Sequence, residues 1–380
     1  MSASGAGDVV VLAVGDLTPS RPDPDTLFDR VRPLLTDADI TFGQLEINLT
    51  ERGVRLPQAR HTDRTSPDTA HAFRRAGFDV ISFAGNHCMD WGPDGFFDTI
   101  AAVEAAGIEV VGVGPTIAEA RHPVVVERKG RRVAFLAYSS ILPQGYWAEV
   151  NRPGCAPMRA HTHYEQVEHD QPGTPARVHT FPHEADLAAL RADVAAAREQ
   201  ADAVLVSLHW GIHFVPAIIA DYQRAVGRAA IDAGADVILG HHAHILKGVE
   251  THRGRPIIHS LCNFAVDLHM DEAHAASPGF REIQGLHPQW EPDFDSTYNF
   301  PADSRRTVVA KIVLGDEGGL RVSLLPAYVD RQSVPEVLAA TDPRFDEVRD
   351  YLVDITRAAG LNGRFDVQGD ELIVAEVDAP

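Results

Sequence analysis

AGADVILGHHAHILKGVE, residues 233–250, decides how this chain is read. A helix-like stretch over Ala217–Ala233 runs into a short strand at Asp236–Leu239, and three histidines follow at once. Buried parallel strands are Val/Ile/Leu-rich runs, and ligands gather beyond their carboxyl ends. His242 and His244 stand two residues apart, so on leaving a strand their side chains can point the same way and bracket a cation. His241 then points elsewhere, as a supporting or packing group.

The same placement recurs outward from this stretch. His209 follows the apolar run Ala203–Leu208 in VSLHWG, and Asp16 ends Val9–Gly15 in VGDLT. Glu46 follows Asp39–Leu45 in GQLEINLT, and Asn86 and His87 follow Phe78–Ala84 in FAGNHCMDWG. Asp16, Glu46, Asn86, His209, His242 and His244 are all able to bind a divalent ion such as Zn, Mn, Fe or Co. Their shared position at strand exits predicts one composite centre for one or two ions. Each has an ordinary reading too: a hydrogen-bonded core histidine, a turn acid, or Asn86 or Asp90 as a helix cap. Two ions roughly 3.5–4 Å apart need an anionic bridge, and Glu46 is the candidate. His87 is placed as an acid or a donor to a developing negative charge, with Asp90 fixing its tautomer. These two are the candidate catalytic residues.

The rhythm between these sites is βαβα. Helices are expected near Pro24–Thr36, Ser66–Ala76, Gly95–Ala106 and His183–Gln200, and further strands at Ile108–Val113, Arg132–Tyr138 and Pro256–Leu261. That alternation predicts an α/β sheet with helices on its faces. Beyond it, Thr307–Leu314 and Leu320–Tyr328 alternate like a half-exposed antiparallel pair joined by the turn GDEGG. A helix near Asp346–Ala359 and a strand near Glu371–Val377 follow, so residues 305–380 read as strands and a helix completing one domain over 1–380. Residues 143–182 and 267–304 read as long insertion loops covering a cleft, since loops beyond about 15 residues are usually lids, binding loops or disordered. They carry His161, His163, His169, His179, His269, His274 and His287. Arg159, Lys247, Trp147 and His241 are candidate substrate contacts, the first two for a carboxylate.

Bulk composition narrows the function. The chain has 380 residues, 44% of them hydrophobic, enough for a large core. Its formal charge of -20 argues against nucleic acid or an anionic membrane as partner, although a bound cation can invert the potential of one cleft. Cys88, Cys155 and Cys262 form neither a disulfide framework nor a thiolate zinc knuckle, which fits a reducing compartment. MSASGAGDVVVLAVGD reads as a first core strand instead of a signal peptide, and no stretch reaches the roughly 18 apolar residues of a membrane span. The expectation is a cytoplasmic protein, with a homo-oligomer left open.

The ordered set GD (15–16), LEINLT (45–50), GNHCMDWG (85–92), HWG (209–211), the stretch 233–250 and PIIHSLCNFAVD (256–267) resembles the bacterial CapA family, named for capsule and poly-γ-glutamate synthesis proteins. That family is similar in turn to the calcineurin-like metallophosphoesterases. The resemblance covers roughly residues 8–270 and implies a four-layer α/β/β/α sandwich with a two-metal centre. It implies Asp16 and His244 on one metal, Asn86, His209 and His242 on the other, Glu46 between them, and His87 assisting the leaving group. The chain departs from the phosphoesterases in two places: their D-x-H is here Asp16-Leu17-Thr18, and Glu46 replaces their bridging Asp. Ala243 and Cys262 stand where many relatives have Pro and Gly.

Two classes of function follow. One is a metal-dependent hydrolase acting on an amide, γ-glutamyl-type or other C–N bond of a small or oligomeric carboxylate-bearing substrate, with phosphoester hydrolysis as the alternative. The other is a non-catalytic component of poly-γ-glutamate or capsule synthesis. The substituted first motif favours the C–N bond.

Overall fold

Val9–Thr18 is the axis of the fold in the computed structural model, which describes residues 7–59, 63–285, 290–316 and 319–377. Its sequence VVVLAVGDLT is buried nearly throughout, as an apolar run between two neighbours requires. One edge pairs parallel with Ile40–Leu45, followed outward by Val80–Ser82 and Glu109–Val111, all parallel. The other edge is shared. Val9–Ala13 pair antiparallel with Arg306–Leu314, whereas Asp16–Thr18 pair parallel with Asn263–Val266. Beyond Arg306–Leu314 lie Leu320–Val329, Glu371–Val377 and Asp366–Gln368 in antiparallel order.

A second sheet runs Val249–His252, Arg255–Ile258, Val237–His241, Ala203–His209, Arg131–Ser139 and Val124–Arg128. Its four inner strands are parallel and its two edges antiparallel. The two sheets pack face to face: Phe42 of the first stacks on Phe135 of the second, with ring centres 5.5 Å apart and planes 5° from parallel. Such a pair adds about 0.5–1.5 kcal/mol beyond the area it buries. Outside the second sheet, Leu190 and Val194 of helix Glu184–Arg198 and Val226 and Ala230 of helix Asp221–Ala233 join Val204, Val206 and Ile238 in one core. Helices Thr69–Ala76, Gly92–Ala105 and Pro343–Ala358 bury apolar faces in the core of the first sheet. The result is the four-layer α/β/β/α sandwich.

Several local expectations change. Pro24–Thr36 is not one helix: a 3-10 turn at Pro24–Phe28 gives way to a helix at Arg32–Asp37. Pro33 in its first turn restarts the helix there. The antiparallel pair Arg306–Leu314 and Leu320–Val329 is buried on both faces instead of half-exposed, because Pro343–Ala358 brings Phe345, Val348 and Leu352 into the same core. Residues 143–182 are not a bare loop. They contain a two-stranded ribbon, Ala160–Glu165 with Arg177–Pro182, whose exposed side chains carried no core-facing pattern. Likewise 267–304 contains two short helices, Glu272–Ala275 and Pro278–Gln284. His287 and two residues of the GDEGG turn, 317 and 318, lie outside the described residues. No described helix is long and apolar enough to cross a membrane.

Candidate metal centre

Strand ends from both sheets meet at one point. Asp16 and Asn263 are register partners on neighbouring strands of the first sheet, and His209 and His241 are partners in the second. Gly15 and Gly240 permit this convergence: a Cβ on Gly15 would clash with the Cys262 carbonyl, and one on Gly240 with the His259 carbonyl. The histidines after Gly240 do not continue the strand. Val237–His241 ends at His241, and His242 and His244 both adopt left-handed backbone, φ 83° and 53°. Turn geometry therefore aims these two rings, not the two-residue alternation expected of a strand. Non-glycine residues in that region cost of order 1–3 kcal/mol each and cluster where function demands them.

Two donor sets result. Glu46, His209 and His242 form one and Asp16, Glu46 and His244 the other, with the donor atoms of each set within 4.8 Å of one another. Glu46 belongs to both. His209 Nε2 lies 2.6 Å from Asn86 Oδ1 and 3.1 Å from Glu46 Oε1, so Asn86 adjoins the first set. The residue chemistry fits a pair of divalent cations. His209 Nδ1 and His242 Nδ1 are buried with no hydrogen-bond partner among the described residues, and Asp16 Oδ1 and Glu46 Oε1 are buried facing histidine nitrogens at 3.2 and 3.1 Å, a costly state that a bound cation would relieve.

His244 shows how its donor is prepared. Tyr298 donates its hydroxyl to the Ser304 carbonyl and accepts from Asn263 Nδ2, which turns Asn263 Oδ1 toward His244 Nδ1 at 2.7 Å. With Nδ1 engaged there, Nε2 is the His244 ring nitrogen left to face the donor set, 3.9 Å from Glu46 Oε2. A ligating histidine is commonly oriented by such an outer partner.

Electrostatics agree with the donor chemistry. Burial lowers His209 to about 4, and burial with neighbouring histidines pushes His242 well below its ordinary value, so both rings favour the neutral form that a metal ligand requires. Burial and the Asp16 charge raise Glu46 to about 7, partly offset by His244. Asp16 is fully buried, which opposes its charge, yet His241 at 3.2 Å, His209 and His244 hold it below the usual carboxylate range. Two buried carboxylates sharing a site repel, and a cation between them removes that cost.

His87 borders the cleft. Its side chain is 23% exposed, and Nδ1 lies 2.6 Å from Asp90 Oδ2. Tyr146 donates to Asp90 Oδ1 at 2.7 Å, and Asn48 holds the turn through the Cys88 carbonyl at 3.1 Å. Burial disfavours the charged ring, but the Asp90 hydrogen bond and charge, with Glu46, prevail and raise His87 to about 9.

The four expected substrate contacts lie elsewhere or are engaged. His241 is fully buried against Asp16 and Phe42, so its ring supports Asp16. Arg159 gives its guanidinium to Asp186 in two 2.7 Å bonds, and Trp147 donates to Glu149 while Arg152 and Arg159 lie over its ring. Lys247 is 1% exposed and ties the carbonyls of Val215 and Ile218. Each has a local partner strong enough to hold it, which motif reading along the chain does not show.

Other residues at the site were not anticipated. His213 lies with its ring centre 3.8 Å from that of His242 and 5.1 Å from that of His244. Asn263 directs His244, and Phe214 and Phe300 flank it at 5.6 and 5.3 Å. Asn263 opens a strand facing Asp16, so extending the search from strand exits to strand starts would have found it. His213 sits in a loop with no periodic signal.

Lys247 carries a testable cost. Burial lowers its pKa from 10.5 to about 8. Between these values the unfolded chain binds a proton that the folded chain has lost, so this group adds stability as pH rises through the window and its penalty is fully present below it. At about 1.4 kcal/mol per unit the penalty is roughly 3 kcal/mol. Relative to wild type, Lys247→Met is therefore expected to lose stability by up to that amount between pH 7.5 and 10.5, measured by urea unfolding of both proteins. A pH-independent difference would contradict it.

Residues 4–268 match the profile of the family described as "Bacterial capsule synthesis protein PGA_cap". The chain is 27% identical over 269 residues to "PGA biosynthesis protein CapA" of Bacillus subtilis, covering 70% of this chain and 63% of that protein. It is 30% identical over 241 residues to a "Probable polyglutamine synthesis accessory protein" of Mycobacterium tuberculosis, covering 61% of this chain and 56% of that protein. The matched region thus spans less than two thirds of either relative. Among solved structures, a putative 5'-nucleotidase from Staphylococcus aureus in complex with alpha-ketoglutarate aligns with TM-score 0.42 and 15% identity, over 91% of this chain and 58% of that one. By the profile match, which runs through Asp16, Glu46, Asn86, His209, His242 and His244, the chain belongs to the bacterial capsule synthesis protein PGA_cap family.

Proposed function

We propose that the protein is a metal-dependent hydrolase cleaving an amide, γ-glutamyl-type or other C–N bond of a carboxylate-bearing substrate. The observation that carries this reading is Glu46 common to two donor sets, with His87 bound to Asp90 at 2.6 Å beside them. Divalent cations, when bound, would supply Lewis acidity that polarises the scissile bond and lowers the pKa of a water toward neutrality. Glu46 would be the anionic bridge, with Asp16 and His244 on one side and His209, His242 and Asn86 on the other.

The chain's own residues supply the proton. An amine leaves poorly as an anion, so C–N cleavage needs an acid at nitrogen. Asp90 binds His87 Nδ1, leaving the opposite ring nitrogen, Nε2, to donate into the cleft, and Tyr146 keeps Asp90 from turning away. Phe214 and Phe300 wall the His244 side, and Phe300 belongs to segment 267–304, which supports that segment as one boundary of the substrate cleft. Relatives named for PGA and capsule biosynthesis support a substrate bearing carboxylates.

The test is a screen of metal-loaded protein against γ-glutamyl amides, cyclic amides and phosphomonoesters and diesters. Turnover of an amide class is expected. Turnover of phosphoesters alone would replace the bond assigned here, and polyglutamate binding with no turnover of any class would replace the enzyme reading.

A further inference from the structure

We propose that the ribbon formed by Ala160–Glu165 and Arg177–Pro182 carries a second metal site, separate from the buried centre, taking a transition-metal ion such as Zn, Ni or Cu on His163, His179 and Glu165. Side chains alternate across a strand, so His161, His163 and Glu165 share one face. The antiparallel register sets His163 opposite His179, Glu165 opposite Arg177 and His161 opposite Phe181, which places His179 on that same face. His163 and His179 have ring centres 6.4 Å apart, and His179 Nε2 lies 2.8 Å from Glu165 Oε2.

These distances are close to ligation. Two imidazoles on one tetrahedral ion, with metal–nitrogen bonds of about 2.0–2.1 Å, have ring centres roughly 5 Å apart. Closing the remaining gap takes side-chain rotation only, and His163 and Glu165 are exposed enough to rotate. The ion would replace the proton now lying between His179 and Glu165. It would also displace Arg177, whose guanidinium sits 3.2 Å from the same carboxylate oxygen. Two imidazoles and one carboxylate, with solvent completing the shell, suit a borderline metal better than magnesium or calcium.

The backbone beneath is already ordered. On the opposite face Thr180 accepts from the Tyr222 amide at 3.0 Å through its hydroxyl and donates its own amide to Asp221 at 3.1 Å. At the ribbon's base the His183 amide donates to the Arg159 carbonyl at 2.7 Å. A preformed ribbon spares the ordering cost that weakens ligation by loose loops. His183 itself is set aside as a ligand: its Nδ1 is taken up by Asp186, whose carboxylate and amide lie 3.1 and 3.3 Å away. Its ring instead lies against His161, with centres 5.4 Å apart.

Chelator-stripped full-length protein titrated calorimetrically with Zn2+ alone tests the site. Wild type is expected to bind at least one equivalent that the double variant His163→Ala/His179→Ala lacks and that His242→Ala retains. Glu165→Gln should weaken that equivalent without removing it. Unchanged thermal unfolding of the ribbon variant, whose substitutions are on an exposed face, shows that a lost equivalent reflects ligands and not folding. The same number of equivalents in wild type and ribbon variant, or zinc binding abolished entirely by His242→Ala, would overturn the proposal.

Discussion

Replacing Glu46 with glutamine is expected to abolish stoichiometric binding at both halves of the buried centre and with it all turnover. Glu46 is the one residue common to both donor sets, and a neutral amide cannot screen two cations from each other. The effect should separate from folding. Asp16 and Glu46 are both buried, so the variant removes one of two crowded carboxylates, and the metal-free variant should unfold no more easily than metal-free wild type. A ligand at about 100 times its Kd stabilises the folded state by about 2.7 kcal/mol. Zn2+ or Mn2+ at that excess should raise the unfolding free energy of wild type by this amount and leave that of Glu46→Gln nearly unmoved. Equal metal-induced stabilisation of both proteins would exclude Glu46 from the bridging position.

Removing the His87 ring should act on chemistry and leave metal content alone. Positioned proton transfer contributes about 10²–10⁴ in rate, so His87→Gln is expected to lower kcat by that range with KM little changed. Asp90→Asn tests whether Asp90 works through His87. The 2.6 Å contact and the raised His87 pKa both depend on the carboxylate charge, so the variant should reduce kcat less than His87→Gln and move the basic limb of the pH–rate profile downward. Adding Asp90→Asn to His87→Gln should cost little more, because residues acting as a unit are not additive. A substrate with a good leaving group should narrow the His87→Gln defect, since such a group needs no proton. A defect independent of the leaving group, or bound metal lost from His87→Gln, would remove His87 from the role of acid.

Much of the site was legible because strand exits in a parallel sheet converge. Asp16, Glu46, Asn86, His209, His242 and His244 each follow an apolar run, and the structure brings all six to one place. The local partners of the expected substrate contacts were not legible. Arg159 and Lys247 looked available only because Asp186 and the carbonyls of Val215 and Ile218 are invisible from their own positions in the chain. His213 was missed since the His242 and His244 rings that place it at the site are more than twenty residues away in sequence and its loop has no period. The ribbon at 160–182 was missed as structure because both its strands are largely exposed, which erases the polar–apolar alternation that marks a strand.

Local order along the chain determined the α/β class, a first core strand over Val9–Gly15 and the kinds of donor atom available, because hydrophobic periodicity and residue chemistry are properties of short segments. Tertiary structure alone decided that Glu46 is shared by two donor sets, that left-handed turns aim His242 and His244, and that Asn263 sets the free nitrogen of His244. Those outcomes depend on atoms from two sheets meeting within a few ångströms, with each hydrogen bond consuming a donor or acceptor that the sequence shows only as present.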